Sequence, residues 1–379
     1  MIGIKMTDMQ TEDFAERPAD AKIGGNGENL NSEIYKCPNC GNFLYYDPES
    51  GKLKCDYCKT EENLQEVGNA VELPYDDQVE QGFESWKGVK SVRCNSCGAV
   101  TVLPQYEVVV NCPFCNASNI VQSDEIGGLR PNGILPFRVS RRQVPEIYAK
   151  WLKSKYVAPN KLRKNAQSQP CSGLYIPVFT FDSNCDCSYS IRYGKYYTTT
   201  VGIGKSKRTV TRTRWYFDSG RVENFFNDVQ IEASKSITQK NLRKLGGFDT
   251  DNSMEYHSQY LSGYSAERYD KGLDASWAEA KDMMEESMRA MIVSKYNADV
   301  IDYVRMDNLF TERTYKYVLV PIWVFNYKYG GKSYGCIVNG RTKHIIGNYP
   351  KSPVKVGSIA LTIGIAVGVL IWLYFKYLA

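Results

Sequence analysis

Histidine is almost missing: His257 and His344 are the only two in 379 residues, and neither stands near a Cys or Asp pattern that would pair it. That leaves no His-Glu-x-x-His helix, and neither histidine is assigned a role. Gly-x-Ser-x-Gly and Gly-x-Gly-x-x-Gly are absent as well, so no nucleophile elbow or dinucleotide fingerprint is present. Gly202-Ile203-Gly204-Lys205-Ser206 imitates the end of a phosphate loop, yet Thr199 stands where that motif needs its first glycine. The following residues, Arg208 to Trp215, read as strand where the motif needs a helix, so a hairpin turn is expected. No apolar run follows Met1. Residues 1–33 carry Asp8, Glu12, Asp13, Glu16 and Asp20 among glycines, the pattern of a disordered, solvated tail and not of a signal peptide. Residues 356–375 contain no charge at all.

Cysteine is what the chain does have. Cys37-Pro-Asn-Cys40 is followed after fourteen residues by Cys55-Asp-Tyr-Cys58, and Cys94-Asn-Ser-Cys97 after fourteen residues by Cys112-Pro-Phe-Cys115. A Cys-x-x-Cys turn aims two sulfurs at one point, and two such turns close a tetrahedral four-thiolate cage. Between the knuckles, residues 43–46 and 52–54, and again 100–103 and 107–110, read as hairpin strands. Knuckle, strand, turn, strand, knuckle is the pattern of a zinc ribbon, so two structural zinc ions are expected. Disulfides or a redox Cys-x-x-Cys are the alternatives, but no βαβ pattern surrounds either pair. Both cages are closed, without an open position for water or substrate. Cys171, Cys185, Cys187 and Cys336 lack a second Cys-x-x-Cys and read as free thiols, with a third metal site as the weaker alternative.

Twenty uncharged residues, 356–375, make a helix of about 30 Å, the hydrocarbon thickness of a bilayer. Trp372, Tyr374 and Tyr377 stand near one interface, and Lys376 can snorkel from it. Arg341, Lys343, Lys351 and Lys355 precede the span, while only Lys376 follows. The positive-inside rule then places the N-terminal domains in the cytoplasm, which also suits reduced thiolates. Gly364 and Gly368 form a Gly-x-x-x-Gly pair, a candidate homodimer face.

Charge is segregated. Residues 1–129 hold 10 Lys+Arg against 21 Asp+Glu, and residues 130–217 hold 17 against 3. Nucleic-acid-binding ribbons present cations to phosphates, so acidic ribbons favour a cytosolic protein partner. The basic segment 130–217 leaves three readings open. It is a nucleic-acid surface with Tyr189, Tyr193, Tyr196, Tyr197, Trp215 and Tyr216 as stacking platforms, a face against anionic lipid, or a solvated strand face.

The middle of the chain alternates short helices with long extended runs. An apolar stripe at Val144, Ile147, Tyr148, Trp151 and Leu152 predicts a helix capped by Ser140. Residues 236–245 and 274–296 read as two more, the latter with a row of Met284, Met288 and Met291 that suits core packing. Residues 175–181 and 317–325 share an apolar–Pro–apolar pattern and suggest equivalent strands. Asn339-Gly340 predicts a tight hairpin turn.

The stretches 35–41, 46–53 and Cys112-Pro-Phe-Cys115 resemble those of bacterial membrane proteins containing transcription-factor-IIB-type zinc ribbons. So do Leu135-Pro-Phe137, Thr211-Arg-Thr-Arg-Trp215 and Ala266-Glu-Arg-Tyr269. Such proteins are often labelled after the primosomal replication-restart helicase, but this chain has neither a phosphate loop nor a Walker-B strand. The resemblance implies the fold and the metal, and no established activity. The expectation is a multidomain chain: tail 1–33, zinc ribbon 34–66, acidic linker 67–90, zinc ribbon 91–126, a mixed α+β domain rich in antiparallel strands over 134–350, and one transmembrane helix, 356–375. Its expected role is a membrane-anchored, protein-binding adaptor or scaffold on the cytoplasmic face. The alternatives are nucleic-acid binding at the membrane and an enzyme whose site in the α+β domain carries no recognised motif.

Overall fold

Two strands of about thirty residues each form where β-branched and aromatic residues crowd out helix formers. The computed structural model describes residues 35–76, 89–95, 100–104, 112, 120–123, 129–165, 171–234 and 236–377. The expected tail, Cys97, Cys115 and the strand at 107–110 lie outside them. β9 (Cys171–Val201) and β13 (Val300–Tyr329) run antiparallel from Gly194 opposite Val300 to Cys171 opposite Phe325. The two apolar–Pro–apolar segments are thereby neighbours, with Tyr175 opposite Pro321 and Pro177 opposite Leu319.

Both faces of this half of the sheet are covered, which explains why its strands are continuously apolar and do not alternate. Leu174, Ile176, Val178, Val318, Val320 and Ile322 face Leu242 and Leu245, at the end of α3 (Gln239–Lys244), and Phe248. The opposite face carries an aromatic cluster. The Phe137 ring stacks 4.3 Å from Tyr264 and lies 5.1 Å from Trp323, whose indole N–H donates to the Val139 carbonyl at 3.0 Å.

Beyond Phe181 the strands continue as a narrower blade. β10 (Arg208–Glu232) returns along β9 from the turn at 202–206, as the hairpin expectation required. Cys185, Cys187 and Ile191 on one face of the blade pack against Met288 and Ile292 of α4 (Leu273–Ser294), so the methionine row is core. Burial pushes the Cys185 thiol up to about 11 and the Cys336 thiol up to about 12. Buried thiols of this kind are poor nucleophiles.

Short strands complete a mixed sheet. β8 (Gly133–Ile134) and β4 (Leu73–Pro74) pair with β13, parallel and antiparallel respectively. β12 (Ser265–Glu267) runs parallel to β9 and carries β6 (Val100–Pro104), then β5 (Val89–Cys94) and β7 (Ile120–Ser123). The segment read as an acidic linker is folded over residues 68–76. There the Tyr75 ring packs 5.2 Å from Trp277 and 6.1 Å from Phe181. Its acidic composition hid one aromatic anchor that justifies the fold. α1 (Val144–Ser154) forms on the expected stripe, with Val144, Tyr148 and Leu152 buried. Ser140 does not cap it: its hydroxyl donates to Glu49 Oε1 at 2.6 Å. α2 (Asn160–Lys164) follows Pro159, and α5 (Pro353–Tyr377) ends the described chain.

The hairpin of β14 (Lys332–Asn339) and β15 (Ile345–Gly347) is present, but its turn is wider than Asn-Gly suggests. Asn339 N–H donates to the His344 carbonyl, so residues 340–343 form the loop. The buried Asn339 side chain instead donates to the carbonyls of Leu245 and Gly247 and accepts from the N–H groups of Arg341 and Thr342, at 2.9 to 3.2 Å. Truncation would strand four backbone groups at once. Asn339→Ala is expected to destabilise the fold by about 2 kcal/mol or more, read as a lower midpoint in thermal melting of the purified chain by tryptophan fluorescence. An unchanged midpoint would contradict this account of the loop.

Candidate metal centre

The first cysteine quartet is assembled by a three-stranded sheet of β1 (Leu44–Asp47), β2 (Lys52–Cys55) and β3 (Glu61–Glu62). Leu44 pairs with Cys55 and Tyr46 with Leu53, and all four are buried. Each knuckle then turns sharply. Cys37 O accepts from Gly41 N at 2.8 Å, and Cys55 O accepts from Lys59 N at 3.0 Å. Gly41 and Lys59 occupy the same place in their knuckles, and both have left-handed backbones, with φ of 74° and 64°. A lysine pays a conformational cost there that glycine does not. The matching backbone conformation gives the two knuckles the same turn.

Cys37, Cys40, Cys55 and Cys58 place their sulfurs within 4.8 Å of one another. Cys37 Sγ lies 3.4 Å from Cys58 Sγ, and Cys40 Sγ lies 3.5 Å from Cys55 Sγ. A tetrahedral cage with metal–sulfur bonds near 2.3 Å has sulfur–sulfur edges of about 3.8 Å. The quartet is therefore the size to hold one metal ion. Thr60 reaches the cluster from outside, its Oγ1 3.1 Å from Cys58 Sγ. Hydrogen bonds from Thr60 lower the Cys58 thiol to about 5. At Cys40 the hydrogen bond with the Asn42 backbone favours the thiolate, but desolvation and the other three sulfurs outweigh it and push that thiol up to about 12. Four bare sulfurs so close cannot all ionise, and a bound cation removes that repulsion.

The quartet does not hang from the chain by a tether. Tyr46 N–H donates to the Ser262 carbonyl at 2.9 Å, and the Ser262 hydroxyl donates to the Leu44 carbonyl at 2.5 Å. The Tyr46 ring lies 5.4 Å from Tyr260, and its hydroxyl donates to the Phe137 carbonyl. Gly263, at φ 82°, permits the approach, since a Cβ there would sit 2.8 Å from Tyr45 Cβ. One side of the small sheet is thus bonded to the large one. Phe43 and Tyr57, beside the cysteines in sequence, are 48% and 78% exposed.

Of the second quartet, Cys94 and Cys112 are buried, and Cys97 and Cys115 lie outside the described residues. Cys171, Cys185, Cys187 and Cys336 belong to no metal-ligand group among the described residues.

A second cluster escaped the sequence reading. Glu72, Asp182 and Asp228 bring carboxylate oxygens within 4.8 Å of one another. Lys316 Nζ sits 2.6 Å from Glu72 Oε1 and 3.0 Å from Asp228 Oδ1, so a cation of the chain already occupies the group. Its signal was a lysine inside the apolar run 315–325. Asp228 takes φ 49° at a bulge in β10, and its N–H donates to Asp182 Oδ1 at 2.6 Å. Desolvation and a hydrogen bond with Asp251 raise Asp228 from 3.8 to about 6. The folded state therefore binds this proton more tightly than the unfolded one, and stability from this group is lost as pH rises from 3.8 toward about 6. Asp228→Asn, neutral throughout, should gain stability relative to the native chain across that window in paired melting curves. A difference that is flat with pH would refute the assignment.

Comparison with known proteins adds one distant relative. The chain is 26% identical over 329 residues to "Uncharacterized protein YdjG" of Bacillus subtilis (strain 168), spanning 86% of this chain and 92% of that protein. No family model matches the chain. No solved structure matches it. The metal reading accordingly stands on geometry. Cobalt(II) added to the reduced full chain should produce the thiolate-to-metal absorption of a tetrahedral sulfur site. Cys55→Ala should remove about one equivalent of that absorption, and an unchanged titration would overturn the role of this quartet.

Proposed function

We propose that this chain is a membrane-anchored zinc-ribbon protein that acts as a protein-binding adaptor or scaffold on the cytoplasmic face of the membrane. Support comes chiefly from the first cysteine quartet, whose inner side is bonded to the large sheet while Phe43 and Tyr57 stand exposed beside the sulfurs. Exposed aromatics on a rigid, metal-braced turn are suited to bury themselves in a partner. The four-sulfur donor set suits zinc, and such a closed cage braces a fold without offering a reaction site. Cys94, Cys97, Cys112 and Cys115 would hold a second zinc. Among the described residues one helix, Pro353–Tyr374, is long and apolar enough to cross a membrane, and none of its apolar stretch is buried in the protein.

A second reading, nucleic-acid binding near the membrane, is favoured by one feature of the blade. The Arg192 guanidinium lies 4.8 Å over Trp215 and 5.2 Å over Phe217, and Arg214 lies 5.3 Å over Tyr197. Arg–aromatic stacks of this kind can receive bases. In the adaptor reading the same stacks brace an exposed strand face.

Metal analysis of the full chain purified without chelator should give about two zinc per chain, falling to about one in Cys37→Ser. In-cell crosslinking with mass spectrometry should recover a protein partner whose crosslinks drop about tenfold in Phe43→Ala/Tyr57→Ala. Crosslinks to nucleic acid through residues 192–217, unaffected by those changes, would instead promote the second reading.

A further inference from the structure

The membrane-spanning helix does not leave the folded domain as a free tether. Lys355, in the first turn of α5, donates through Nζ to the carbonyls of Tyr156 and Ala158 and to Asn160 Oδ1, at 3.2, 2.8 and 2.7 Å. Ser352 N–H donates to the Val157 carbonyl at 2.8 Å. The link between α1 and α2 is thereby clasped to the foot of the span. α1 is itself seated on the sheet, Tyr148 stacking 4.7 Å from Phe325 and Trp151 lying 5.7 Å from Tyr349.

What the clasp brings to that foot is uniform in sign. Between Ile147 and Phe181 there is no acidic residue, and there is none from Arg313 to the end of the chain. Lys153, Lys161 and Lys164 are exposed around the link, and Lys351 is exposed just before the span. None of the four has an ion-pair partner among the described residues. Tyr156, 66% exposed, stands at the centre, with Lys355 Nζ 5.7 Å from its ring. Lysines around an amphipathic ring at the start of a span are placed where a bilayer keeps its phosphates and where tyrosine is favoured.

We propose that the α1–α2 link is a docking surface for anionic phospholipid headgroups, with Lys161, Lys164 and Lys351 contacting headgroup phosphates and Tyr156 seated at the interface. The proposal rests on the membrane-spanning reading of α5 and sharpens the lipid expectation for the basic segment 130–217. Arg208, Arg212 and Arg214, three further cations of that segment, pair with Val201, Tyr197 and Lys195. Those positions are at the opposite end of β9 from Cys171, which pairs beside Phe325 near the span. At about 3.3 Å per residue the intervening contour is on the order of 80 Å. Charge at the α1–α2 link and charge on the hairpin thus serve different surroundings.

The test uses the full chain in nanodiscs of equal phosphatidylcholine and phosphatidylglycerol, with retained lipids counted by native mass spectrometry. The native chain should hold phosphatidylglycerol in about threefold excess over phosphatidylcholine. Lys161→Gln/Lys164→Gln/Lys351→Gln should bring the ratio to parity. Arg208→Gln/Arg212→Gln/Arg214→Gln should leave it unchanged. Lys355→Met, which removes one charge and the clasp, should lose at least half of the excess. Parity in the native chain, or loss only in the hairpin variant, would overturn the proposal. Alkaline carbonate extraction of membranes from the cells that express the chain separates the two failures. A chain that is extracted refutes the span itself, whereas a chain that resists extraction and shows no lipid preference refutes only the headgroup surface.

Discussion

Among the described residues, the elements of the large sheet take their positions from the pairing of β9 with β13. Two strands of this length would be slow to find their register and prone to slip if their faces were alike. Here the register is pinned by unlike halves. Near Tyr175 and Pro321 both faces are buried under helices and aromatic rings, whereas near Ile191 and Val304 only one face is covered, by α4. On the blade, a slip by one residue would expose Cys185, Cys187 and Ile191 and bury the Arg192–Asp302 ion pair. A bulge between Thr311 and Thr314, opposite Asn184 and Asp182, lies at the transition between the halves.

That pairing also explains why small elements are scattered across the sequence yet converge in space. β4, β8 and β12 are two or three residues long and could not persist alone. Each borrows an edge from β9 or β13. The loop before β12 supplies Tyr260, Ser262 and Tyr264, which receive the cysteine-bearing sheet. The far end of β13 supplies Phe325, on which α1 and then the foot of α5 are seated. The cysteine quartet and the apolar helix are thereby held by one framework.

The local patterns were legible in the sequence because they depend on spacing alone. The hairpin at 202–206, the stripe of α1 and the apolar helix follow from neighbours within a few residues, and the first quartet from two short knuckles fourteen residues apart. What could not be read was anything set by distant partners. Tyr75 looked like one aromatic in an acidic stretch, and only the rings of Trp277 and Phe181 give it a place. Ser140 was a plausible helix cap until Glu49 claimed its hydroxyl. Asn339 had the sequence of a tight turn, but its buried amide is committed to the backbone of residues 245 and 247, and the turn widened to allow this.

Lys316 shows the same principle at higher stakes. It lies at the start of the apolar run 315–325, opposite Thr180 on β9, and is only 4% exposed. Burial alone would favour the neutral amine, but hydrogen bonds with Glu72 and Asp228 outweigh that and raise its pKa. Glu72 comes from the folded part of the acidic segment and Asp228 from the β10 bulge, so the ammonium joins three separate pieces of chain. Ion pairs this deep add little net stability over an apolar core, yet they penalise any arrangement that leaves one partner alone. The acidic segment is therefore held in a single register against β13 by a charge that has no other place to go. Together with Tyr75, that is why a stretch with the composition of a linker is part of the fold.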